Sequence, residues 1–540
     1  MKKVLAMILA LTMILGATAV AEEAATPLLQ ELIDAAQTLE PSSELWFENG
    51  LTITGLGAHF NNNPVGFDAC YYWPAIEKLT NAHIDIDWRT EDSIATAVQT
   101  TLADASQGGK LPDLMQLGGY SARELYEEGA IIALDDYLDL IPNIVEAVGE
   151  DRMAKWRSAD GHIYTIPTIV NVPGSQSLMV RKDWLDQLGL DVPTSWDEWV
   201  AVWRAFKEND MNGNGDTTDE IPLAFTQGGN GESSLIPLLN CFGIPVSNDG
   251  QFCLLDDGTY TMVYEHPRYP EFLEAVRGLY AEGLLDNEFA TRYQAELYTV
   301  MDGGLVGTAF TWAERARVSS ETLIASGDED ALWLCVAPLV GPHGDQMTQE
   351  REAVTSRWCI STQAEADGKV EDILRLFNWN FGKEGNDLYN YGIEGVSYDV
   401  VDGENVMKQE ILQNGFTDYR GAGMQYEPFG GVWQTSAFTQ CLFAGGTPET
   451  LSPAGASFYS GLAIVNNPYF YSMPQTLGTD AYLENRAELI TTGVCVLRDQ
   501  CVAGQISVED FFAQYETLKT RGLQKVIDEC SAAYAAIVGE

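Results

Sequence analysis

The chain has 540 residues and a formal net charge of −49, from 30 Lys plus Arg against 79 Asp plus Glu. An acid excess of this size offers polyanions no attractive surface, which excludes nucleic acid and anionic membrane faces as expected partners. A charged fraction of 20% beside a hydrophobic fraction of 46% is globular composition, so the acid is spread over folded surface on a chain long enough for about two to four domains.

Lys2 and Lys3 precede an apolar run from Val4 to Leu15, and the small residues Gly16-Ala17-Thr18-Ala19-Val20-Ala21 follow. This reads as a secretory signal peptide over residues 1–21. Its removal takes away two lysines and no acid, moving the charge from −49 to −51. The run is too short to span a bilayer and no later stretch offers about 18 consecutive apolar residues, so no membrane span is expected. The first cysteine is Cys70, so no cysteine stands at the cut to carry a lipid, and an exported chain, periplasmic, released or held at the cell surface by its partner, is expected.

Leu51 to Phe60 reads as a strand ending in the turn cluster Asn61-Asn62-Asn63-Pro64. A helix is expected over 67–80, then a strand over 83–88, where His83-Ile84-Asp85-Ile86-Asp87-Trp88 alternates polar and apolar residues. These make one βαβ unit. A helix over 93–106, a Gly108-Gly109 break, a short buried strand over 113–117 and a helix opened by Gly118-Gly119 follow. Residues 1–165 therefore read as an open α/β domain whose ligand-facing loops follow the carboxyl ends of the strands.

Between Ile163 and Val180, Gly and Pro followed by the strand Ser177–Val180 mark a crossover. Residues 181–190 form an amphipathic helix closed by a Gly, and Pro193-Thr194-Ser195-Trp196-Asp197-Glu198 starts another with a Thr or Ser cap and acids in the first turn. Trp184 and Trp199, at helical spacing, belong in the core. A crossover strand is expected over 305–310, and helices over 508–520 and 523–538. The nine cysteines show no CxxC and no His at zinc spacing, and their odd number leaves at least one thiol unpaired. Most read as buried apolar side chains, Cys335 among them, and Cys241 with Cys253 is the short-range disulfide candidate.

The loop Asp210-Met211-Asn212-Gly213-Asn214-Gly215-Asp216-Thr217-Thr218-Asp219-Glu220 places oxygen-bearing side chains at every second position, the pattern that cages hard cations. Asp210, Asn212, Asn214 and Gly215 fit the first half of an EF-hand loop, but the twelfth position is Ile221 rather than Glu. The displaced acids Asp219 and Glu220 close the site instead, giving Asp210, Asn212, Asn214, Asp216, Asp219 and Glu220 as expected ligands of a structural calcium. The alternative is an Asx-turn loop with no ion.

The order of several motifs is more specific than any one of them. Ala159-Asp160-Gly161-His162-Ile163-Tyr164-Thr165-Ile166-Pro167 is followed by Val180-Arg181-Lys182-Asp183-Trp184-Leu185-Asp186-Gln187-Leu188-Gly189-Leu190, then by the Asp210 loop ending Asp219-Glu220-Ile221-Pro222. With Leu111-Pro112-Asp113, Gly283-Leu284-Leu285-Asp286 and Asn390-Tyr391-Gly392-Ile393-Glu394-Gly395, the chain resembles the long family 1 extracellular solute-binding proteins of ABC importers from about Thr52 to Val400. The resemblance implies a type II periplasmic-binding-protein-like fold: two α/β lobes joined by hinge strands, a sugar or other small solute closed between them, and no catalysis. It also implies a membrane permease as partner, a monomer, and calcium on the Asn-rich loop. Here that loop carries one residue more before its final acid pair than the family loop.

Lobe 1 is expected to take residues 22–165 and 313–360, and lobe 2 residues 166–312 and 361–540. A receptor that closes on a sugar needs aromatic faces for its CH surfaces, and amides and carboxylates for its hydroxyls. The candidates are Asn61, Asn62, Gly119, Tyr120, Trp312, Glu314, Tyr391, Glu394, Tyr398, Tyr426 and Trp433. For each aromatic the competing reading is ordinary packing, and for Asn61 and Asn62 a plain turn. Two alternatives stand beside solute capture. A secreted glycoside hydrolase needs only two carboxylates, which 79 acids always supply, but no GxSxG, HExxH, Walker A or GxGxxG signature is present. A sugar sensor or adhesin shares the lobed fold.

Overall fold

Helix and strand periodicity resolve into two folding units in the computed structural model. It describes residues 27–59, 71–90, 93–118, 120–158, 160–170, 176–226, 235–247, 250–349, 354–408, 411, 431–433, 452–457, 470–471, 473 and 477–538. One unit combines Met1–Gly149, Ile163–Ile169 and Ser356–Gly445; the other combines Glu150–His162, Val170–Thr355 and Gly446–Glu540.

The first unit is built on a sheet with the strands in the order Gly431–Trp433, Thr165–Val170, Val354–Ile360, Leu114–Gln116, Leu51–His59 and Ala82–Thr90. Leu51–His59 runs parallel to Ala82–Thr90 along its whole length and parallel to Leu114–Gln116 near its end. The expected βαβ unit is therefore present, its crossover helix ending in Tyr72–Thr80. Asp113 ties the inner strands together: its buried Oδ2 accepts the Thr54 N–H at 2.8 Å and the Lys369 ammonium at 2.8 Å. Leu56, Ala58 and Met115 face the helices Ile94–Ser106 and Ala122–Glu127, packing on Val98 and Leu125.

Lobe boundaries drawn from sequence put 361–540 with the second lobe, whereas residues 361–408 pack in the first unit. The cause is one strand. Val354–Ile360 inserts antiparallel beside Leu114–Gln116, with Trp358 opposite Gln116, and the helix Val370–Phe381 that follows buries Ile373, Leu374 and Phe377.

The second unit holds an antiparallel three-stranded sheet, Thr308–Trp312, Gln176–Arg181 and Trp333–Val336. Helix Trp196–Glu208 buries Trp199, Val202, Trp203 and Phe206, the spacing of one helix face, against the same core. Trp184 and Trp199 lie in that core as the periodicity requires. Gly189, at φ 66°, takes the left-handed position that ends helix Lys182–Leu188. The terminal helices Val508–Leu518 and Gln524–Val538 pack here through Phe511, Tyr515 and Val526. Seven cysteines lie among the described residues, all buried, and none is in a disulfide. The Cys241 thiol turns to the Leu238 carbonyl and the Cys253 thiol to that of Met262, so the short-range pair expected from sequence does not form.

Candidate functional site

In the first unit the chain leaves Leu51–His59 toward Ala82–Thr90 on one side and builds Leu114–Gln116 on the other. Connections that diverge from two neighbouring parallel strands open a crevice at their carboxyl ends, where α/β sheets take ligands. A row of residues crosses the sheet there on one face. Trp88 is paired with Gly57, and Trp358 with Gln116. The printed register Gly55 with Leu114 and Leu56 with Met115, continued by one residue, sets Gly57 beside Gln116.

Gly57 is what lets the row close. A Cβ at this position would come to 2.8 Å from Trp358 Cη2 and 3.0 Å from Trp88 Cζ3. The two indoles meet over it edge to face, with centroids 6.2 Å apart, and Trp73 stands 5.9 Å from Trp88. Trp358 is 2% exposed and Trp88 is half-buried. Gln116 Oε1 accepts the Ala58 N–H at 3.0 Å, extending the ladder past the end of the short strand. These residues were absent from the expected set, although Gly55 and Gly57 inside a strand are a readable sign of close approach.

Of the ligand candidates named from sequence, Asn61, Asn62, Gly119 and Tyr426 lie outside the described residues, as do the side chains of Glu314 and Trp433. Tyr120 is half-buried in the loop after Leu114–Gln116, and a capping box of Ser121 with Glu124 starts the next helix. Tyr391 and Tyr398 are buried against each other, centroids 5.5 Å apart, and burial raises the Tyr398 phenol well above its usual range. Glu394 is exposed between them in sequence. Trp312 closes the strand Thr308–Trp312 of the second unit, half-buried opposite Gln176.

The Asp210 loop winds through successive Asx turns, made possible by Gly213 at φ 71° and Gly215 at φ 89°. Asp210 accepts the Asn214 and Gly215 N–H groups at 3.1 and 2.8 Å, and Asn214 Oδ1 accepts that of Asp216 at 2.7 Å. Asp216 accepts both the hydroxyl and the N–H of Thr218, which holds its carboxyl below the usual range. Asp219 receives the side-chain amides of Asn212 and Asn214 at 3.3 and 2.6 Å. Glu220 differs from the rest. It is 8% exposed, its Oε1 accepts the Met211 N–H at 2.8 Å, its Oε2 is buried with no hydrogen-bond partner, and burial pushes its pKa up. Among the described residues no three His, Cys, Asp or Glu side chains gather as a metal site; the donors of this loop are mixed carboxylates and amides.

Residues 71–235 match the bacterial extracellular solute-binding protein family. The fructooligosaccharide ABC transporter substrate-binding protein FusA of Streptococcus pneumoniae is 34% identical over 227 residues, 39% of this chain and 41% of that one. Lipoprotein LipO of Bacillus subtilis is 25% identical over 334 residues, 61% and 64% of the two chains. The chain thus spans between two fifths and just under two thirds of the length of these relatives. Among solved structures, the alginate-binding protein AlgQ2 without calcium ion superimposes with a TM-score of 0.70 at 23% identity, over 91% of this chain and 99% of that one. FusA in complex with kestose gives 0.70 at 21%, over 90% and 99%. The fold is the α/β type II fold of periplasmic sugar-binding proteins. Over residues 71–235, then, the chain is similar to the bacterial extracellular solute-binding proteins, and it shares their fold.

Proposed function

We propose that this protein is the solute-binding component of a carbohydrate ABC importer, which captures a neutral oligosaccharide outside the cell and hands it to a membrane permease without chemical change. The observation that carries the reading is the indole row at the carboxyl ends of the parallel strands, Trp88 and Trp358 meeting over Gly57, with Tyr120 in the adjoining loop. Aromatic faces stack on the CH surfaces of pyranose and furanose rings; at the crevice of the parallel sheet the half-buried Trp88 and Tyr120 can offer theirs, while the buried Trp358 holds Trp88 in place by edge-to-face contact. Asn61, Asn62 and Gly119 belong to the same two loops by sequence and complete the candidate site of this unit; Trp312, Glu314, Tyr391, Glu394, Tyr398, Tyr426 and Trp433 remain candidates for the rest. The two folding units are then the two lobes of the receptor, and residues 1–21 its signal peptide.

Charge favours a neutral sugar. The chain carries −49, and Arg89, the cation next to Trp88, is paired with Asp87. A uronate or phosphorylated ligand would meet this field unfavourably. Thermal-shift measurement with kestose, maltotriose, an alginate trisaccharide and peptide controls decides the matter. The neutral sugars should raise the melting temperature; a shift with peptides alone ends the carbohydrate reading.

The Asn-rich loop fits a calcium ion. Asp210, Asn212, Asn214 and Asp216 supply oxygens from one tight winding, Asp219 and Glu220 stand at its close, and the orphaned buried Oε2 of Glu220 is a charge-bearing atom for which a cation is the natural partner. The ion would brace the end of helix Trp196–Glu208, which leads into the loop. Chelation with EDTA should lower the melting temperature of the wild-type protein, and Glu220→Gln should remove most of that response. An EDTA effect of zero would leave the loop an ion-free turn.

A further inference from the structure

Among the described residues of the first unit, no side-chain amide but that of Gln116 has a buried atom left without a hydrogen-bond partner. Asn390 Nδ2, for instance, donates to the Asn386 carbonyl at 2.8 Å, to Asn386 Oδ1 at 3.0 Å and to the Val432 carbonyl at 2.8 Å. Gln116 is the exception. It is 4% exposed, and because its oxygen is needed to accept the Ala58 N–H, its Nε2 must face the other way. That nitrogen is buried and has no hydrogen-bond partner. A buried NH2 left unmade is costly in a native protein and marks a place where a water or a ligand atom belongs. Gln116 is also the last residue of its strand, at the carboxyl end beside the point where the connections diverge, in one row with Trp88, Gly57 and Trp358.

We propose that Gln116 is a ligand-binding residue, its Nε2 donating to an oxygen of the solute taken up at the carboxyl end of this sheet. The assignment rests on the solute-binding reading above and adds to it a polar contact to the solute. A donor suits a sugar, whose hydroxyl and ring oxygens all accept, and an uncharged donor suits a neutral one. Because the atom is shielded, a ligand reaches it by displacing a neighbour. Trp88, half-buried, is the more accessible side of the row, and Trp358, 2% exposed, the buried side. Binding here therefore alters tryptophan emission.

The test uses the full chain with kestose, or whichever of maltotriose and the alginate trisaccharide gives the largest melting shift. Gln116→Glu keeps an acceptor for the Ala58 N–H and loses the donor; Gln116→Met removes both. In calorimetry Gln116→Glu should bind the sugar about tenfold more weakly or worse. In protein labelled with 15N-glutamine, one side-chain NH2 pair should shift on addition of the sugar and be missing from the spectrum of whichever variant folds. Wild-type affinity in Gln116→Glu, with that NH2 pair unmoved by the sugar, assigns the nitrogen to a buried water and overturns the proposal while leaving the solute-binding reading intact. No binding of any sugar by the wild type overturns both.

Discussion

A single methyl group at residue 57 tests the aromatic row directly. Gly57→Ala would drive a Cβ into Trp358 and Trp88, both ring atoms of large, well-packed side chains. Overpacking of this kind costs about 1–3 kcal/mol. The variant should melt lower in thermal denaturation, and an unchanged melting temperature would mean that the rings do not meet there. His266 offers a second test, on acid stability. It is buried, its Nδ1 accepts the Arg268 N–H at 3.2 Å, and burial followed by the Arg268 charge pushes its pKa down, against the weaker pull of Asp256 and Asp345. A depressed histidine is neutral in the fold but takes up a proton on unfolding, so its burden on stability is absent above the ordinary histidine value of about 6.5 and grows as the pH falls below it. His266→Asn should flatten the loss of stability below that pH, as read by urea midpoints across the range.

At the scale of elements, helix Trp196–Glu208 shows how local chemistry fixes a boundary. Ser195 and Glu198 form a capping box, and Glu198 accepts the N–H groups of Thr194 and Ser195 at 2.9 and 3.0 Å, which holds its carboxyl down to about 2 from 4.5. The sign follows from the depression. Glu198 contributes stability above pH 4.5 and loses it as the pH falls through about 2. Ser195→Ala should cost about 1 kcal/mol at neutral pH, measured by chemical denaturation. Glu198→Gln should remove the dependence of stability on pH within that acid window. The cap was legible from residues 193–198 because it needs only neighbours in sequence. The strand Val354–Ile360 was not legible, because what makes it part of the first unit is its pairing with Leu114–Gln116, more than 200 residues away.

At the scale of the whole molecule, the proposed solute capture would act as a population shift: a ligand that binds one arrangement of a receptor favours it by its differential affinity. A cognate sugar present at about 100 times its Kd should stabilise the protein by about 2.7 kcal/mol, visible as a concentration-dependent rise in melting temperature. A rise that saturates without dependence on sugar concentration would contradict simple one-site capture.

Local pattern alone determined most of the secondary structure, the parallel βαβ start, the capped helices and the composition of the Asp210 loop, because periodicity, caps and turns depend on residues a few positions apart. Motif order was enough to point to solute-binding proteins. Only the tertiary structure decided which residues share the carboxyl end of the first sheet. Trp88, Gly57, Gln116 and Trp358 come from four strands, and no spacing in the chain announces their juxtaposition. The same holds for Glu220: sequence made it one of two closing acids, and folding alone singled it out by burying Oε2 without a partner. Burial and cross-strand register are properties of the assembled sheet and core, so the chemistry they create appears only when the distant segments meet.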